Sequence, residues 1–350
     1  MPLRHALLAV LVTVVWGLNF VAIHASLEQF PPFFLAALRF AVIAVPTVLL
    51  VPRPAVPLRH LVGYGVGFGT VQFAGLYLGM ALGFPAGLAS LVLQSSAPFT
   101  VLLGALLLRE HLTPRRLTGV LVAVLGLVVV GLARASETSW VPFALVVVGG
   151  LGWAFGNLAS RLAAAPNPLH LTLWMSVVPP VPMLALSLAT EGPGRIGEAL
   201  AGSLSPVAAP AWLGLAYTVL LGTVLGSGAW VWLMGRHPAS TVAPFSMLVP
   251  VTGLLAGWVL LAETPSVLEL AGGALVVAGV LWASTRARTR RDGEVQRGRP
   301  KRTATVRAFV LVGDGATRRE KVALAGSQVP TSVRPLPSQS PATGRAPASP

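Results

Sequence analysis

The side chains best placed for chemistry in this chain are polar and aromatic residues that recur at helical spacing inside apolar segments. Trp16, Asn19 and Phe20 lie within five residues of one another in a first apolar segment, and Trp153 and Asn157 are similarly spaced in a later one. Spacings of three and four residues put such side chains on one face of a helix. An indole beside a carboxamide forms an amphipathic wall that suits a small polar solute. The alternative is hydrogen bonding between helices, which contributes about 0.6 kcal/mol per bond in a membrane.

Two glycine-rich apolar segments carry three further candidates. Gln72 and Tyr77 lie on one of these segments, and Trp230 lies on the other. Glycines at four-residue spacing, such as Gly75 and Gly79, let two helices approach closely. Close and weakly anchored contacts also suit a helix that must slide against its neighbour. We therefore predict that Gln72, Tyr77 and Trp230 line a cavity between helices.

Three prolines interrupt two other apolar segments beside polar side chains. Pro98 leaves the carbonyl of Gln94 without its helical donor, and Pro250 does the same for the carbonyl of Ser246. Pro244 lies two residues before Ser246 in the same segment. Freed carbonyls at membrane depth are tolerated where protein or a water-filled cavity satisfies them. Gln94 and Ser246 are therefore candidates for the cavity wall, and the prolines for gating or structural roles. A simple kink that never touches solute is the alternative.

Three charged residues belong to the apolar segments or to their ends. Glu110 and Glu263 each end an apolar segment and precede a short turn, which favours loop or helix-end anchoring over gating. Arg39 lies about six residues, or ~9 Å, inside its segment, which is within reach of the membrane surface for a long side chain. It could equally attract an anionic carboxylate.

Composition restricts the class of protein. The 350 residues are 54% hydrophobic and 10% charged, whereas a soluble domain has about 25% charged residues. The chain has no cysteine and no Walker loop, HExxH or GxSxG motif, and residues 1–284 show no paired carboxylates inside an apolar segment. We therefore predict a membrane protein that is not an enzyme and that uses no metal or cofactor.

Membrane-spanning helices must position these residues. A spanning helix needs about 20 mostly apolar residues, and ten such stretches predict an all-α polytopic fold. They are 6–25, 33–51, 61–82, 86–108, 116–134, 141–161, 169–189, 209–235, 239–261 and 266–284. The longest connection, 190–208, is predicted to be an irregular external loop. The first stretch also resembles a signal peptide, but its apolar run exceeds the usual length of about 7–15 residues in a signal core.

The ten stretches form two copies of one five-helix unit. Pro85-Ala86-Gly87 and Glu110 are matched by Pro238-Ala239-Ser240 and Glu263 at a constant shift (263 − 110 = 153). Because five is an odd number of crossings, the second copy must enter the membrane from the opposite face. The predicted inverted repeats are residues 1–134 and 135–284, and proteins built this way place their binding sites between the copies.

Arginines predict the orientation and mark a tail. With a cytoplasmic N-terminus, the inner loops hold eight arginines and the outer loops two, which predicts that both termini are cytoplasmic. Residues 285–350 carry 14 of the 25 Lys and Arg residues, so the net charge of +14 comes mostly from this segment and does not indicate a nucleic-acid partner. Arg286, Arg288, Arg290 and Arg291 are predicted to bind anionic lipid headgroups at about 1 kcal/mol each. The Pro- and Ser-rich remainder is predicted to be disordered.

Several segments together resemble a known family. They are Trp16-Gly17-Leu18-Asn19-Phe20, Pro31-Pro32 with Leu38-Arg39-Phe40, Pro85 to Gln94, Glu110 and Glu263 with their trailing glycines, and Val242 to Val251. Their order and duplication over residues 6–284 resemble the EamA-type branch of the drug/metabolite transporter superfamily, and within it the O-acetylserine/cysteine exporters. The resemblance implies a ten-helix permease of the inner (plasma) membrane with a central cavity and efflux of small amino acids or related metabolites.

The expected function is therefore export of a small-molecule substrate by alternating access, by a monomer or a homodimer. Two alternatives stay open at this stage. One is a carrier of the same fold for another solute, such as a drug, a purine or a sugar. The other is a membrane scaffold or accessory subunit that transports nothing.

Overall fold

The computed structural model describes residues 1–137 and 139–284, and within them the ten predicted stretches are helices. We label these helices α1 to α10. They are α1 Leu3–Leu27, α2 Pro32–Leu50, α3 Leu58–Ala81, α4 Ala86–Leu108, α5 Pro114–Ala135, α6 Val141–Ala163, α7 Pro168–Thr190, α8 Pro206–Arg236, α9 Ala243–Leu261 and α10 Val267–Ser284. All ten are long and apolar enough to cross a membrane. The all-α fold class is thereby confirmed.

Corresponding helices of the two halves share the same irregularities. α3 contains a π-helical segment, Gly65–Val71, and α8 contains another, Tyr217–Leu225, which overlap when the first is shifted by 153 residues. In both segments a threonine hydroxyl donates to the carbonyl five residues earlier, Thr70 at 3.4 Å and Thr223 at 2.9 Å. π-helical turns of this kind are frequent at functional sites. The shared deviations show that the sequence repeat is also a structural repeat.

Helices α4 and α9 also match, and each ends in the same unusual backbone conformation. Arg109 and Ala262, which are 153 residues apart, both have φ of 54°. Their left-handed backbone turns the chain so that the next residue's amide donates to a carbonyl six residues earlier, Glu110 to Gly104 and Glu263 to Gly257. Left-handed backbone is uncommon for residues other than glycine. Both copies therefore present a glutamate in the same local geometry.

Small residues bring the helices of the two halves together. A Cβ atom on Gly126 of α5 would lie 2.5 Å from the carbonyl oxygen of Gly272 on α10, so these two backbones are in direct contact. On α3, a Cβ on Gly75 would lie 2.3 Å from the carbonyl oxygen of Leu145 on α6. The small-residue stripes thus have the close-packing role expected of them. α1 packs on α8 and α9, α6 packs on α3 and α4, and α2 packs on α7.

The connection between α7 and α8 differs from the prediction. Residues 190–208 were expected to be irregular, but Gly192–Gly202 is an α-helix. Glu191, which precedes it, is buried and accepts hydrogen bonds from the backbone amides of Phe33 and Phe34 at 2.7 and 3.0 Å. The connection is ordered because its carboxylate caps the N-terminus of α2, where helical amides lack partners.

The tail and the exact repeat boundaries stay predictions. Arg286, Arg288, Arg290 and Arg291, with the rest of residues 285–350, lie outside the described residues. The boundary between repeats at residues 134 and 135 falls inside the last turn of α5, within a helix that continues to Glu137.

Candidate functional site

The candidate site is built where α1 meets α8. The indole Nε1 of Trp16 donates to the carbonyl oxygen of Gly222 at 2.9 Å, and its ring lies 5.1 Å from that of Trp230. Asn19 lies beside the same turn, since a Cβ on Gly222 would be 2.9 Å from Asn19 Oδ1. This oxygen is buried and has no hydrogen-bond partner within the described part of the chain. The structure therefore brings Trp16 and Asn19 together at one turn of α8, and Trp230, about two turns further along α8, packs against Trp16.

Arg39 of α2 reaches the same turn from the other side. Its Nη1 donates to the Tyr77 hydroxyl and its Nη2 to the Thr223 hydroxyl, both at 3.0 Å. The guanidinium carbon lies 4.1 Å from the ring centroid of Phe73 and 5.2 Å from that of Phe40. Arg39 is only 5% exposed. The side chain therefore points into the helix bundle, whereas the sequence allowed it to extend to the membrane surface.

The π-helical segment of α8 explains why Thr223 can accept this bond. Its hydroxyl proton is directed to the carbonyl of Thr218, which leaves the oxygen lone pairs facing Arg39. Thr218 Oγ1 is itself buried without a hydrogen-bond partner in the ranges described. The irregular turn thus gathers several polar groups that a regular helix would distribute around its axis.

A row of aromatic rings connects this cluster to α6. Phe40 contacts Phe73, Phe73 contacts Phe68, and Phe68 contacts Trp153, with centroid separations of 5.2, 6.0 and 5.9 Å. Tyr77 also packs edge-on against Phe73 at 5.4 Å. Trp153 is therefore joined to the Arg39 cluster through rings of α3. Edge-to-face arrangements such as these are favourable for aromatic pairs.

The remaining predicted lining residues make no hydrogen bond to the Arg39 cluster in the described structure. Asn157 donates from Nδ2 to the Thr100 hydroxyl at 3.2 Å, which joins α6 to α4. Gln72 is 3% exposed and its Oε1 has no hydrogen-bond partner among the described residues. Ser246 donates to Ala243 in its own 3₁₀ turn. Gln94 and Phe20 are both buried.

The predicted prolines coincide with breaks in helical geometry. Pro98 follows the 3₁₀ turn Leu93–Ser95 of α4, and Pro244 lies in the 3₁₀ turn Ala243–Met247 that begins α9. Pro250 is buried three residues beyond that turn. These positions fit the lost hydrogen bond at each proline. Their role in gating stays a prediction.

The two matching glutamates have different partners. Glu263 accepts from the backbone amides of Ala86 and Gly87 at 2.6 and 2.8 Å, so it caps the N-terminus of α4. Glu110 instead forms an ion pair with Arg161 at the end of α6. A carboxylate at a helix N-terminus is favourable because it satisfies amides that have no helical partner. The pairing is therefore asymmetric although the local backbone is the same in both copies.

Two further features of the described residues concern metal binding and cavities. Residues 1–137 and 139–284 hold no group of three or more His, Asp or Glu side chains placed to bind a metal. A cavity of about 340 Å³ lies between α4, α9 and α10, and apolar side chains such as Leu91, Leu254 and Val277 line it. Of the predicted site residues only Pro250 borders this cavity, so it is separate from the polar cluster.

Sequence reasoning missed Phe40, Phe73 and Thr223 as members of the cluster. Phe73 and Thr223 were not among the predicted site residues, although both contact the Arg39 guanidinium. The repeat held a signal for Thr223, because Thr70 occupies the matching place in the first half. No comparable signal marked Phe73, which reads as one more apolar residue of α3.

The described residues form ten membrane-length helices in two structurally repeated halves, with polar groups buried where the helices meet, which is the architecture of a polytopic membrane transporter. Residues 3–132 and 140–285 match the EamA-like transporter family, and the chain belongs to this family.

The matches to curated relatives cover nearly the whole length of each relative. The chain is 40% identical over 301 residues to a protein of Salmonella typhimurium described as a probable amino-acid metabolite efflux pump, with 84% of this chain and 99% of that protein covered. It is 37% identical over 286 residues to an Escherichia coli K12 protein of the same description, covering 80% and 94%. A probable terminal-alkyne amino-acid exporter of Streptantibioticus cattleyicolor is 29% identical over 305 residues, covering 83% and 97%.

A solved structure supports the fold. It is described only as the crystal structure of a protein, has 22% sequence identity and a TM-score of 0.53, and covers 81% of this chain and 97% of its own. At this identity the likeness concerns the fold and not the solute.

Proposed function

We propose that this chain exports small metabolites, most specifically amino acids or derivatives such as cysteine and O-acetylserine, across the inner membrane. The observation that carries this proposal is the polar cluster between α1, α2, α3 and α8. It combines two tryptophans with a buried carboxamide oxygen that the described protein leaves unpaired. Buried polar groups inside a membrane are costly and usually face a bundle interior or a pathway. The relatives at 37–40% identity are described as probable amino-acid metabolite efflux pumps, which favours amino acids over other solutes.

Transport by alternating access is supported by the asymmetry of the two glutamates. With a cytoplasmic N-terminus, Glu263 and the start of α4 lie on the outer face, and the cap holds α4 against α9 there. A Cβ on Gly87 would lie 3.1 Å from the carbonyl oxygen of Gly253, so the outer halves of α4 and α9 are in close contact. We propose that this arrangement closes the outer side. In the alternate state the matching Glu110 would leave Arg161 and cap the residues that begin the α9 segment on the inner side.

Transport by purified protein is the test of this function. The protein is reconstituted in liposomes loaded with radiolabelled cysteine, O-acetylserine, a purine, a sugar or a cationic drug, with and without a pH gradient. Faster release of the amino acids than from protein-free liposomes is the expected result. Release of only the purine, the sugar or the drug would replace the amino-acid assignment with another cargo. Release of no solute at all, from protein that is folded and correctly inserted, would favour a scaffold.

A further inference from the structure

Arg39 carries a buried positive charge for which the described helices supply no carboxylate. The guanidinium is 5% exposed, and its two hydrogen bonds go to the neutral hydroxyls of Tyr77 and Thr223. It lies seven residues after Pro32, about 10 Å into the membrane at 1.5 Å per residue. A charge at this depth is costly unless it is paired.

The acidic residues of the chain are elsewhere. Residues 1–284 contain seven glutamates and no aspartate, and each glutamate lies beyond a spanning helix or within its first three residues. They are Glu28, Glu110, Glu137, Glu191, Glu198, Glu263 and Glu269. Four of them already cap a helix or pair with arginine at a helix end: Glu110, Glu191, Glu263 and Glu269. A counter-charge for Arg39 must therefore come from outside these helices.

One edge of the Arg39 guanidinium is poised to accept such a counter-charge. Nε is buried and has no hydrogen-bond partner in the described structure, and Nη2, on the same edge, is held only by the Thr223 hydroxyl. Two parallel N–H groups on one edge match the two oxygens of a carboxylate. The hydrogen bond from Nη1 to the Tyr77 hydroxyl and the contact with the Phe73 ring fix the plane of the guanidinium.

An unpaired acceptor lies beside Gly222, the residue next to the Thr223 that binds this edge. Asn19 Oδ1 is buried without a partner in the described residues and lies beside Gly222, the neighbour of Thr223. A free donor edge and a free acceptor thus flank the same turn of α8. An α-amino acid presents a carboxylate acceptor next to an ammonium donor, which is the complementary arrangement.

The charge is confined to one half of the molecule. Thr70, which matches Thr223 in the repeat, has no arginine facing it, because residues 168–190 of α7 contain no Lys or Arg. A device that only held the bundle together would be expected in both copies. The single guanidinium indicates a directional ligand site.

We propose that the Nε–Nη2 edge of Arg39 binds the substrate carboxylate and that Asn19 Oδ1 accepts from its ammonium group. This inference rests on the proposed export of amino acids and assigns the residues that recognise them. Arg39 and Thr223 belong to opposite halves of the molecule. When the halves separate, Thr223 moves away from Arg39. One carboxylate oxygen then accepts the hydrogen bond of Nη2 in its place, and the other accepts from Nε.

The test is competition against uptake of labelled O-acetylserine or cysteine into proteoliposomes. The competitors are the unlabelled amino acid, its methyl ester, its carboxamide and the deaminated acid. In wild type we expect the free amino acid to compete at least tenfold better than the ester or the amide. Arg39→Gln should raise KM at least tenfold and reduce this preference to less than threefold, and Arg39→Lys should restore part of it. Asn19→Ala should reduce only the preference over the deaminated acid.

The matched control is Arg59→Gln, which removes one positive charge from the exposed start of α3 and should keep the full preference for the carboxylate. Equal competition by the free amino acid and its methyl ester in wild type would overturn the Arg39 assignment while leaving amino-acid transport intact. The same holds if Arg39→Gln keeps the preference for the carboxylate. Absence of uptake of every amino acid in wild type would instead overturn the proposed function. If Arg39→Gln does not accumulate, the competitor series on wild type decides the question.

Discussion

At the scale of single residues, the structure separates two asparagines that look equivalent in sequence. Both lie beside a tryptophan on one helix face. Asn157 donates to Thr100 and so joins two helices, whereas Asn19 Oδ1 is buried without a partner in the described chain. A bond between two protein groups contributes to stability, while an unpaired group inside the protein only costs free energy. The second situation is the one expected of a group reserved for a ligand.

Replacing these asparagines by leucine should therefore have different consequences. Asn19→Leu should reduce transport of the amino acid at least tenfold and leave membrane abundance and thermal stability unchanged or slightly raised. Asn157→Leu should instead lower the free energy of unfolding by about 0.6 kcal/mol, because it removes an interhelical hydrogen bond. Transport rate and melting temperature of the purified variants measure both effects. A parallel loss of abundance in Asn19→Leu would show that its role is structural.

At the scale of helices, backbone contact at glycines holds the halves together. Gly126 of α5 faces the carbonyl of Gly272, whereas a Cβ on Gly228 of α8 would meet nothing within 4 Å. Alanine is favoured over glycine inside a helix by about 1 kcal/mol when space allows. The sign of a Gly→Ala change should thus depend on what the new methyl group meets.

Gly126→Ala should destabilise the protein, and Gly228→Ala should leave it unchanged or stabilise it. Forcing a methyl group to within 2.5 Å of a backbone oxygen requires α5 and α10 to separate along their interface. Thermal unfolding in detergent, followed by size-exclusion chromatography, compares the two variants. Equal melting temperatures would contradict the packing described for α5 and α10.

The Glu263 cap is the second device at the scale of helices. A carboxylate that caps a helix contributes about 1 kcal/mol, which corresponds to a change of about fivefold in the ratio of two conformations. Glu263→Gln should therefore shift the protein away from the state in which α4 and α9 are in contact. The expected readout is faster labelling of a cysteine introduced at Ser90, which lies on α4 against Gly253.

The control for this prediction is Glu28→Gln, which removes a carboxylate at the exposed end of α1. Labelling at position 90 should be unchanged in that variant. Unchanged labelling in Glu263→Gln would show that the cap does not influence which state is populated.

At the scale of the whole molecule, the odd number of helices in each repeat determines the orientation of the second half. If the two copies are inverted, the turn after α4 and the turn after α9 lie on opposite faces of the membrane. The chain has no native cysteine. Single cysteines can therefore report sidedness without removing any other residue.

Arg116→Cys and Thr264→Cys should react with a membrane-impermeant maleimide from opposite sides. Both positions are exposed and follow the matching helices α4 and α9. In intact cells we expect labelling at position 264 and none at position 116, and labelling of both after permeabilisation. Labelling of both positions from the same side would contradict the inverted repeat and, with it, the alternating-access proposal.

The sequence by itself determined the number of spans, the repeat and the family. These follow from local properties: about 20 apolar residues suffice to cross a bilayer, and a constant shift of 153 residues is visible without coordinates. The aromatic and amide residues of α1 were also accessible, because residues three and four apart share a helix face.

The tertiary structure alone decided which polar groups meet. Arg39 and Thr223 are 184 residues apart, and Glu263 caps an amide 177 residues away. Hydropathy gives each helix its depth in the membrane but does not say which helix is its neighbour or which face it turns inward. The charge of Arg39 was therefore visible in the sequence, while its burial among neutral partners depended on the packing of α2, α3 and α8.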